Sequence, residues 1–352
     1  MYNAKKENRR MFGASTVRKG GAELLSEALI RELRKRNFDV EDIRLPYKWY
    51  PNEQLINSMF AWKLLDLSES NGEKIDLVIP TKFPSYMVQH ENKVVWLVHQ
   101  YRQIYDMYGT KYSSFTEADR PFMDLVKRQD EKSLGGARKI FTIANNTTNR
   151  LKKFNGIDGE TLYHPPMLYG RYMHETYGDY ILSVGRLDAA KRIDMLIKAA
   201  KYTNKNVKFV IAGKGPERDN LEKLAEQIIP GSVGDRIKFL GFVNDDDLIK
   251  LYANARGVYF APFDEDYGDI TLEAFFSHVP VITTKDAGGV LEFAHDGENA
   301  FVLEPEPEQL GRAINKLFEN ESLVKSFGEV GYQTVKDISW DYAIDRLTET
   351  IR

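Results

Sequence analysis

The feature of this sequence that most limits its fold is an alternation of short apolar runs with longer amphipathic stretches. Strands that are apolar throughout are typical of parallel sheets, because helices cover both faces of such sheets. The apolar, β-branched runs lie at 75–80, 94–98, 140–143, 180–184, 207–211, 237–240, 257–260 and 279–283. We therefore predict an α/β protein with parallel sheets.

The length of the chain indicates two domains. A chain of 352 residues, of which 42% are hydrophobic, is longer than one hydrophobic core usually serves. The segment 163–180 contains adjacent prolines and two glycines among polar and aromatic residues, and it fits neither a helix nor a strand. We place the linker there and predict an N-terminal domain over 1–168 and a C-terminal domain over 169–339.

The start of the chain departs from this pattern. A doubly wound domain normally opens with a buried strand that leads into its first glycine turn. Only Met11, Phe12, Gly13 and Ala14 precede the loop 15–21. The first strand is therefore predicted to be either short or missing.

Charge and composition exclude several classes of function. The net charge of -3 and the pI near 6.2 provide no basic field that would draw the protein onto nucleic acid. The absence of cysteine excludes disulfides and thiolate chemistry, and suits a reducing cytoplasm. Because the start is polar and no apolar run reaches about 18 residues, we expect a soluble, cytoplasmic protein.

Two cations follow the predicted strand 180–184, in a loop that leads into a helix. Arg186 can bridge two phosphate oxygens through its planar guanidinium, and Lys191 adds a compact point charge. Open α/β sheets bind ligands at this carboxyl edge. The loop is therefore a candidate diphosphate site, with a solvated basic loop as the alternative.

A second loop carries carboxylates into the start of a helix. Glu265 lies on the loop after 257–260, and Glu273 lies in the helix predicted over 271–277. Carboxylates accept hydrogen bonds from sugar hydroxyls, and the first amides of a helix are donors without intrahelical partners. Gly268 allows a ligand to approach the backbone closely. The alternative is a helix start whose acids merely complement its dipole.

Glycine-containing loops also follow the strands 207–211 and 279–283. Taken together, the loops resemble glycosyltransferase family 4, the bacterial glycosyl transferases group 1. The residues that carry the resemblance are 185–191, 213–217, 265–273 with 280–282, Gly288-Gly289 with Glu292, and, in the first half, Gly20-Gly21 and His99. The resemblance implies a GT-B fold, with two Rossmann-like domains facing across a cleft and the last helix, 340–352, returning to the N-terminal domain.

The resemblance also implies roles for individual residues. Arg186 and Lys191 would hold the donor diphosphate, Glu273 the ribose hydroxyls and Glu265 the transferred sugar. His99 would line the acceptor side near the reacting carbon, with a structural histidine as the alternative. The remaining residues implied around the donor are Gly20, Gly21, Gly185, Gly213, Asp266, Tyr267, Gly268, Asp269 and Ile270.

The implied activity is retaining transfer of a hexose-type sugar from a UDP- or GDP-linked donor to a glycan or lipid-linked acceptor. Two fixed cations and helix amides can stabilise the leaving diphosphate, so neither a metal ion nor another cofactor is expected. Two alternatives stay open. One is a non-catalytic nucleotide-sugar-binding protein, and the other is a different GT-B enzyme such as a sugar-nucleotide epimerase.

Three further features are ambiguous. Asp269 stands where the family usually has an apolar residue, and it could cap the helix near 271 or contact sugar hydroxyls. The acidic runs 264–266 and 245–247 resemble a metal motif, but an acidic helix start explains the second run better. A basic face would favour peripheral contact with the inner face of an anionic membrane, with solvated charge as the alternative; its residues are Lys19, Arg31, Arg34, Lys35 and Arg36.

Overall fold

The computed structural model describes residues 10–15, 21–48 and 50–351. They form two compact units. The first unit runs up to Met167 and resumes at Ser339, and the second is Leu168–Ile338.

The first unit is built on parallel strands. β2 (Asp39–Arg44), β1 (Arg10–Ser15) and β5 (Leu77–Pro80) form one sheet in that order, and β6 (Val94–Leu97), β7 (Lys139–Thr142) and β8 (Glu160–Thr161) form another. A parallel bridge between Val78 and Lys93 joins the two sheets.

A short antiparallel pair consists of β3 (Glu69–Ser70) and β4 (Glu73–Lys74). Up to Met167, the α-helices described in this unit are α1 (Gly21–Lys35), α2 (Asn52–Leu64), α3 (Arg120–Gly135) and α4 (Asn145–Asn155).

Helix α1 shows why these residues form a helix here. Its apolar residues recur every three or four positions, so Leu25, Leu29 and Leu33 share the buried face. Glu23 lies in the first turn, and Arg34 and Lys35 lie in the last, so both ends complement the helix dipole.

The first strand among the described residues is β1, with six residues. It pairs in parallel with β2 on one side and β5 on the other. β2 itself lay outside our predicted strands. Its sequence, DVEDIR, has only two apolar residues, because the strand lies at the edge of the sheet and is only partly buried.

The C-terminal segment packs onto the first unit. A helix predicted over 340–352 is shorter in the structure, where α11 (Trp340–Leu347) precedes a 3₁₀ turn at Glu349–Ile351. The Trp340 ring lies 6.2 Å from that of Trp96. The Arg346 guanidinium donates to Glu160 at 2.5 Å.

The second unit contains one parallel sheet in the order β11-β10-β9-β12-β13-β14. The strands are β9 (Tyr180–Val184), β10 (Lys208–Ala212), β11 (Ile237–Gly241), β12 (Gly257–Tyr259), β13 (Val281–Thr284) and β14 (Ala300–Leu303). Counted within the unit, the order is 3-2-1-4-5-6, that of a doubly wound nucleotide-binding sheet. The strand order reverses between β9 and β12, so this point is where the fold provides a ligand crevice.

The helices of the second unit cover this sheet. They are α5 (Ile193–Ala199), α6 (Arg218–Ile228), α7 (Asp245–Ala253), α8 (Asp269–Phe276), α9 (Pro307–Glu319) and α10 (Glu321–Val335). The described residues 163–179, which precede β9, form no helix or strand. Aromatic rings from this segment pack on α8. The rings of Tyr169 and Tyr172 lie 5.4 and 6.4 Å from that of Phe276.

Candidate active site

Lys191 and Glu265 meet at the point where the strand order of the second unit reverses. Lys191 follows β9 and Glu265 follows β12, and the two strands are neighbours in the sheet. The Lys191 ammonium donates to the Glu265 carboxylate. The side chains are 23% and 26% exposed, so the pair is partly shielded yet open to a ligand.

The loop after β9 has a defined shape that presents Lys191. A 3₁₀ turn spans Ala189–Lys191, and the carboxylate of Asp188 caps it. Asp188 Oδ1 accepts hydrogen bonds from the amides of Ala190 at 3.1 Å and Lys191 at 3.2 Å. Arg186 is 68% exposed, with its Nε 3.7 Å from Asp188 Oδ2. Lys191 is therefore held at the loop, while Arg186 extends into solvent.

Arg192 is a residue that the sequence reasoning missed. Its backbone is left-handed, with φ of 50°, so its side chain turns away from that of Lys191. The guanidinium donates to the carbonyls of Ala261 at 2.9 Å and Pro262 at 2.7 Å, and to Asp286 at 2.8 Å. Arg192 thus ties the loop after β9 to the loops after β12 and β13. Because Lys191 and Arg192 are adjacent cations, the sequence gives no signal that Arg192 has this different role.

Gly213 brings the loops after β9 and β10 into contact. Its φ is 144°, and a Cβ atom at this position would lie 1.8 Å from the carbonyl oxygen of Gly185. The Gly185 amide donates to Ala212 O at 3.0 Å, and the Leu187 amide donates to Lys214 O at 3.1 Å. Gly213 is therefore required for this close loop packing, and Gly185 has a positive φ of 132°.

The Gly288-Gly289 pair allows another close backbone contact, between the loop after β13 and Glu265. The Glu265 amide donates to Ala287 O at 3.1 Å, and Glu265 O accepts from the Gly289 amide at 2.8 Å. A Cβ atom on Gly288 would lie 2.6 Å from Glu265 O. The backbone of Glu265 is thus fixed from the end of β13.

The start of α8 corrects the capping interpretation of Asp269. The N-cap is Gly268, with φ of 98° and no side-chain capping bond, and Asp269 is the first residue of the helix. Burial, then the nearby Glu265 carboxylate, raise the pKa of Asp269 to about 7, while Lys191 opposes the shift. The carboxyl group of Asp269, the first residue of α8, thus lies close to the Lys191–Glu265 pair.

The other residues predicted at this loop divide into two kinds. The Tyr267 side chain is buried, with its ring 5.5 Å from that of Phe293. Asp266 and Ile270 are half-buried. A Cβ atom on Gly185 would lie 3.5 Å from Ile270 Cδ1, so the loop after β9 adjoins the start of α8.

Glu273 lies one helical turn beyond Asp269. Its Oε2 accepts a hydrogen bond from the hydroxyl of Tyr252 at 2.5 Å. Burial raises the pKa of Glu273 to about 7, although Tyr252 and Tyr172 act in the opposite direction. The carboxyl group therefore changes charge near neutral pH.

His99 and Gly21 belong to the first unit. The family resemblance implies that His99 lines the acceptor side and that Gly21 lies near the donor. His99 follows β6 and is half-buried, with Nδ1 2.7 Å from Gln100 O. Gly21 is the exposed first residue of α1, and Gly20 lies outside the described residues. An ion pair between the buried Glu23 and Lys82 lies at the same end of α1, and our sequence reasoning did not identify it.

The predicted basic face is only partly present. Glu32 is almost buried and pairs with Arg31, Lys35 and Arg36, so three of the cations share one carboxylate. Lys19 lies outside the described residues. An open groove nevertheless has four basic residues in its walls, namely Arg31, Arg34, Lys35 and Arg44, together with Glu27 and Asp42, which pair with Arg44.

The described part of the chain holds neither a cluster of metal ligands nor a membrane-spanning helix. No three His, Asp or Glu side chains come together there in a way that could hold a metal ion. No helix of the described residues has the length and apolar character to cross a membrane. The acids 245–247 form the first turn of α7, where Asn244 accepts from the Asp247 amide at 3.0 Å.

Two Rossmann-like units, one with this site at its switch point, define a protein of the GT-B fold. Residues 174–334 match the family described as "Glycosyl transferases group 1". The second unit is therefore a glycosyl transferases group 1 domain, which confirms the family resemblance and the fold class.

Known proteins agree with this assignment. An uncharacterized glycosyltransferase of Methanocaldococcus jannaschii is 36% identical over 143 residues, which are 40% of this chain and 36% of that protein. A sucrose-phosphate synthase from Thermosynechococcus elongatus superposes with a TM-score of 0.79 at 15% identity, over 97% of this chain and 98% of that one. Anabaena HepE, solved in complex with UDP and glucose, superposes with a TM-score of 0.72 at 16% identity, over 97% and 99%.

These similarities differ in what they establish. The alignments to curated relatives span 36% to 50% of the length of those proteins. The structural neighbours cover almost the whole chain, but at 15% and 16% identity they establish the fold alone.

Proposed function

We propose that this protein is a retaining glycosyltransferase that needs no metal ion. It moves a hexose-type sugar from a UDP- or GDP-linked donor to a glycan or lipid-linked acceptor. The observation that carries the proposal is the Lys191–Glu265 pair at the reversal point of a nucleotide-binding sheet.

The chemistry of the pair suits transfer from a nucleotide sugar. Breaking the bond between the sugar C1 and the phosphate oxygen leaves negative charge on the diphosphate, which Arg186 and Lys191 stabilise. In the free protein Lys191 is neutralised by Glu265. An arriving diphosphate competes for Lys191, and Glu265 then accepts hydrogen bonds from hydroxyls of the sugar.

The start of α8 supports the same assignment. The positive end of its dipole adds to the two cations beside the leaving group, so no metal is required for charge stabilisation. Glu273, further along α8, accepts the ribose hydroxyls. HepE, which shares the fold, was solved with UDP and glucose, and this favours a nucleotide-sugar donor.

No protein side chain is assigned as the general base. On the retaining route, the acceptor oxygen attacks C1 from the face that the diphosphate leaves. The departing phosphate oxygen takes the acceptor proton as the new bond between oxygen and C1 forms. His99 then has a positioning role on the acceptor side.

The acceptor side also motivates a proposal about membranes. The groove containing Arg31 and Arg34 suits the phosphates of an anionic bilayer that carries a lipid-linked acceptor. Flotation with vesicles of neutral and anionic lipid tests this. Recovery should rise with the anionic fraction and fall in R31E/R34E; equal recovery in both lipids would reject membrane contact.

The donor assignment is tested by a thermal-shift screen with UDP, GDP and ADP in the presence of EDTA. One nucleoside diphosphate should raise the melting temperature of the wild type, because a ligand that binds only the folded state stabilises it. The shift should vanish in E273A. It should persist in E308A, which removes an exposed glutamate from the first turn of α9.

The activity is tested with the sugar-linked forms of the selected nucleotide. Proton NMR of the product should show the same anomeric configuration as the donor. Inversion would favour another GT-B enzyme, and donor binding without hydrolysis or transfer would favour a nucleotide-sugar-binding protein. No shift with any of the three nucleotides would contradict the proposed function as a whole.

A further inference from the structure

A tyrosine hydroxyl inside the second unit is directed at the Glu273 carboxylate. Tyr252 lies on α7 and is fully buried, and its hydroxyl donates to Glu273 Oε2 at 2.5 Å. The two residues are 21 positions apart. A buried phenol that donates to a partly exposed carboxylate fixes the orientation of that carboxylate, because the ring cannot move without disturbing the core.

A second tyrosine flanks the same group. The Tyr172 ring meets the Tyr252 ring edge-on at 6.0 Å and stacks on Phe276 at 6.4 Å. Its buried hydroxyl makes no hydrogen bond of ordinary geometry to the described residues. It nevertheless lies close enough to the Glu273 carboxylate to lower the pKa of that group. Two phenols from two different segments thus face one carboxylate.

We propose that Tyr252, assisted by Tyr172, is a positioning residue that fixes Glu273 to receive the ribose hydroxyls of a nucleoside diphosphate. The proposal rests on the proposed function, in which Glu273 binds the ribose. It goes further in assigning recognition of the ribose to a three-residue unit rather than to one acid.

The charges around Glu273 give this unit a pH dependence. The groups that face it are Tyr252 on α7, Tyr172 before β9 and Asp269 on its own helix. Burial and Asp269 raise the pKa of Glu273 to about 7, and the two phenols lower it. Only the ionised carboxylate accepts from two hydroxyls without donating, so ribose binding strengthens as the pH rises through about 7.

The test compares UDP with 2′,3′-dideoxy-UDP by calorimetry between pH 6 and 8.5, and repeats the pair with the guanosine nucleotides. Y252F should weaken UDP binding at pH 7 by about tenfold, which corresponds to one pKa unit. Binding of the dideoxy nucleotide should not change. The midpoint of the pH dependence for UDP should move upward, because a hydrogen bond that favours the charged carboxylate is gone.

A matched control lies in β9, against the same helix. The hydroxyl of Tyr180 donates to Leu251 O of α7 at 2.6 Å and touches no carboxylate. Y180F therefore removes a hydroxyl at the α7 packing surface without changing Glu273, and it should bind both nucleotides as the wild type does. In an E273Q background, Y252F should have no further effect on UDP.

The possible outcomes are distinguishable. Equal weakening of UDP and dideoxy-UDP in Y252F, or an unchanged pH midpoint, would overturn the positioning role while leaving the donor site intact. Equal binding of UDP and dideoxy-UDP by the wild type would overturn the ribose role of Glu273, and this proposal with it. An additive effect of Y252F in the E273Q background would show that Tyr252 acts on packing alone.

Discussion

Lys191 and Glu265 form an ion pair although they are 74 positions apart in the chain. Each side chain follows a different strand, and the Lys191 ammonium also lies 5.3 Å from the centre of the Phe260 ring. The cation expected to meet a diphosphate is thus held by a carboxylate and an aromatic face. The free protein keeps it oriented and partly neutral until a ligand arrives.

Removing either of the two cations should slow sugar transfer. R186A and K191A should each lower kcat/KM by roughly 100-fold or more, the scale of losing one donor to a developing negative charge. K285A is a matched control, because Lys285 follows β13 and pairs with the exposed Glu304. Steady-state kinetics with the selected donor would measure this, and unchanged rates in both variants would refute the diphosphate assignment.

Neutralising Glu265 should separate binding of the diphosphate from transfer. In E265Q the Lys191 ammonium has lost the carboxylate to which it donates, so calorimetry should show UDP or GDP bound at least as tightly as by the wild type. Transfer should nevertheless fall by about 100-fold, because the sugar loses a charged hydrogen-bond acceptor. Weaker binding of the diphosphate in E265Q would mean that Glu265 does not compete for Lys191.

Adding a methyl group at Gly213 should destabilise the second unit. Backbone atoms of two loops must separate to admit a Cβ atom that would lie 1.8 Å from Gly185 O, so G213A should cost about 3 kcal/mol or more. The control is G231A, where φ is also positive but no atom lies within 4 Å of the added Cβ. That variant should lose only about 1 kcal/mol, the cost of the backbone conformation. Urea unfolding of both variants separates the clash from the strain.

The raised pKa of Glu273 predicts a pH-dependent cost to stability. Burial first of all raises this pKa from 4.5 to about 7, so the folded protein holds a proton that the unfolded chain releases near pH 4.5. Stability should therefore fall as the pH rises from about 4.5 to about 7, and the cost should be complete above pH 7.

The corresponding variant is E273Q, which cannot ionise. In urea unfolding it should be more stable than the wild type at pH 8 and no more stable at pH 4. E308Q, at an exposed position, should show no such difference. A gain in E273Q that is the same at both pH values would point to packing rather than to ionisation.

Much of the fold follows from the hydrophobic pattern. Each predicted strand overlaps an observed one within a few residues, because a buried parallel strand is a continuous apolar run. The missed strands are β2, β3, β4, β8 and β14. They lie at sheet edges, where burial is partial and the pattern weaker.

The candidate site was predictable in part for the same reason. The carboxyl ends of parallel strands lie at one edge of a sheet, so the loops that follow β9, β10, β12 and β13 are neighbours whatever their spacing in the chain. The residues that support the site could not be predicted from the sequence in this way. Tyr252 looked like any apolar residue of an amphipathic helix, and its hydroxyl acquires a role only beside Glu273.

The sequence by itself therefore determined the α/β class, the parallel sheets, and the loops that carry the charged residues, since these depend on local periodicity and on where strands end. Only the tertiary structure decided which groups pair. Lys191 and Arg192 are adjacent cations, yet one faces Glu265 and the other is held by carbonyls and Asp286. The difference arises from a left-handed backbone at Arg192 and from strand order, and both depend on packing between residues far apart in the chain.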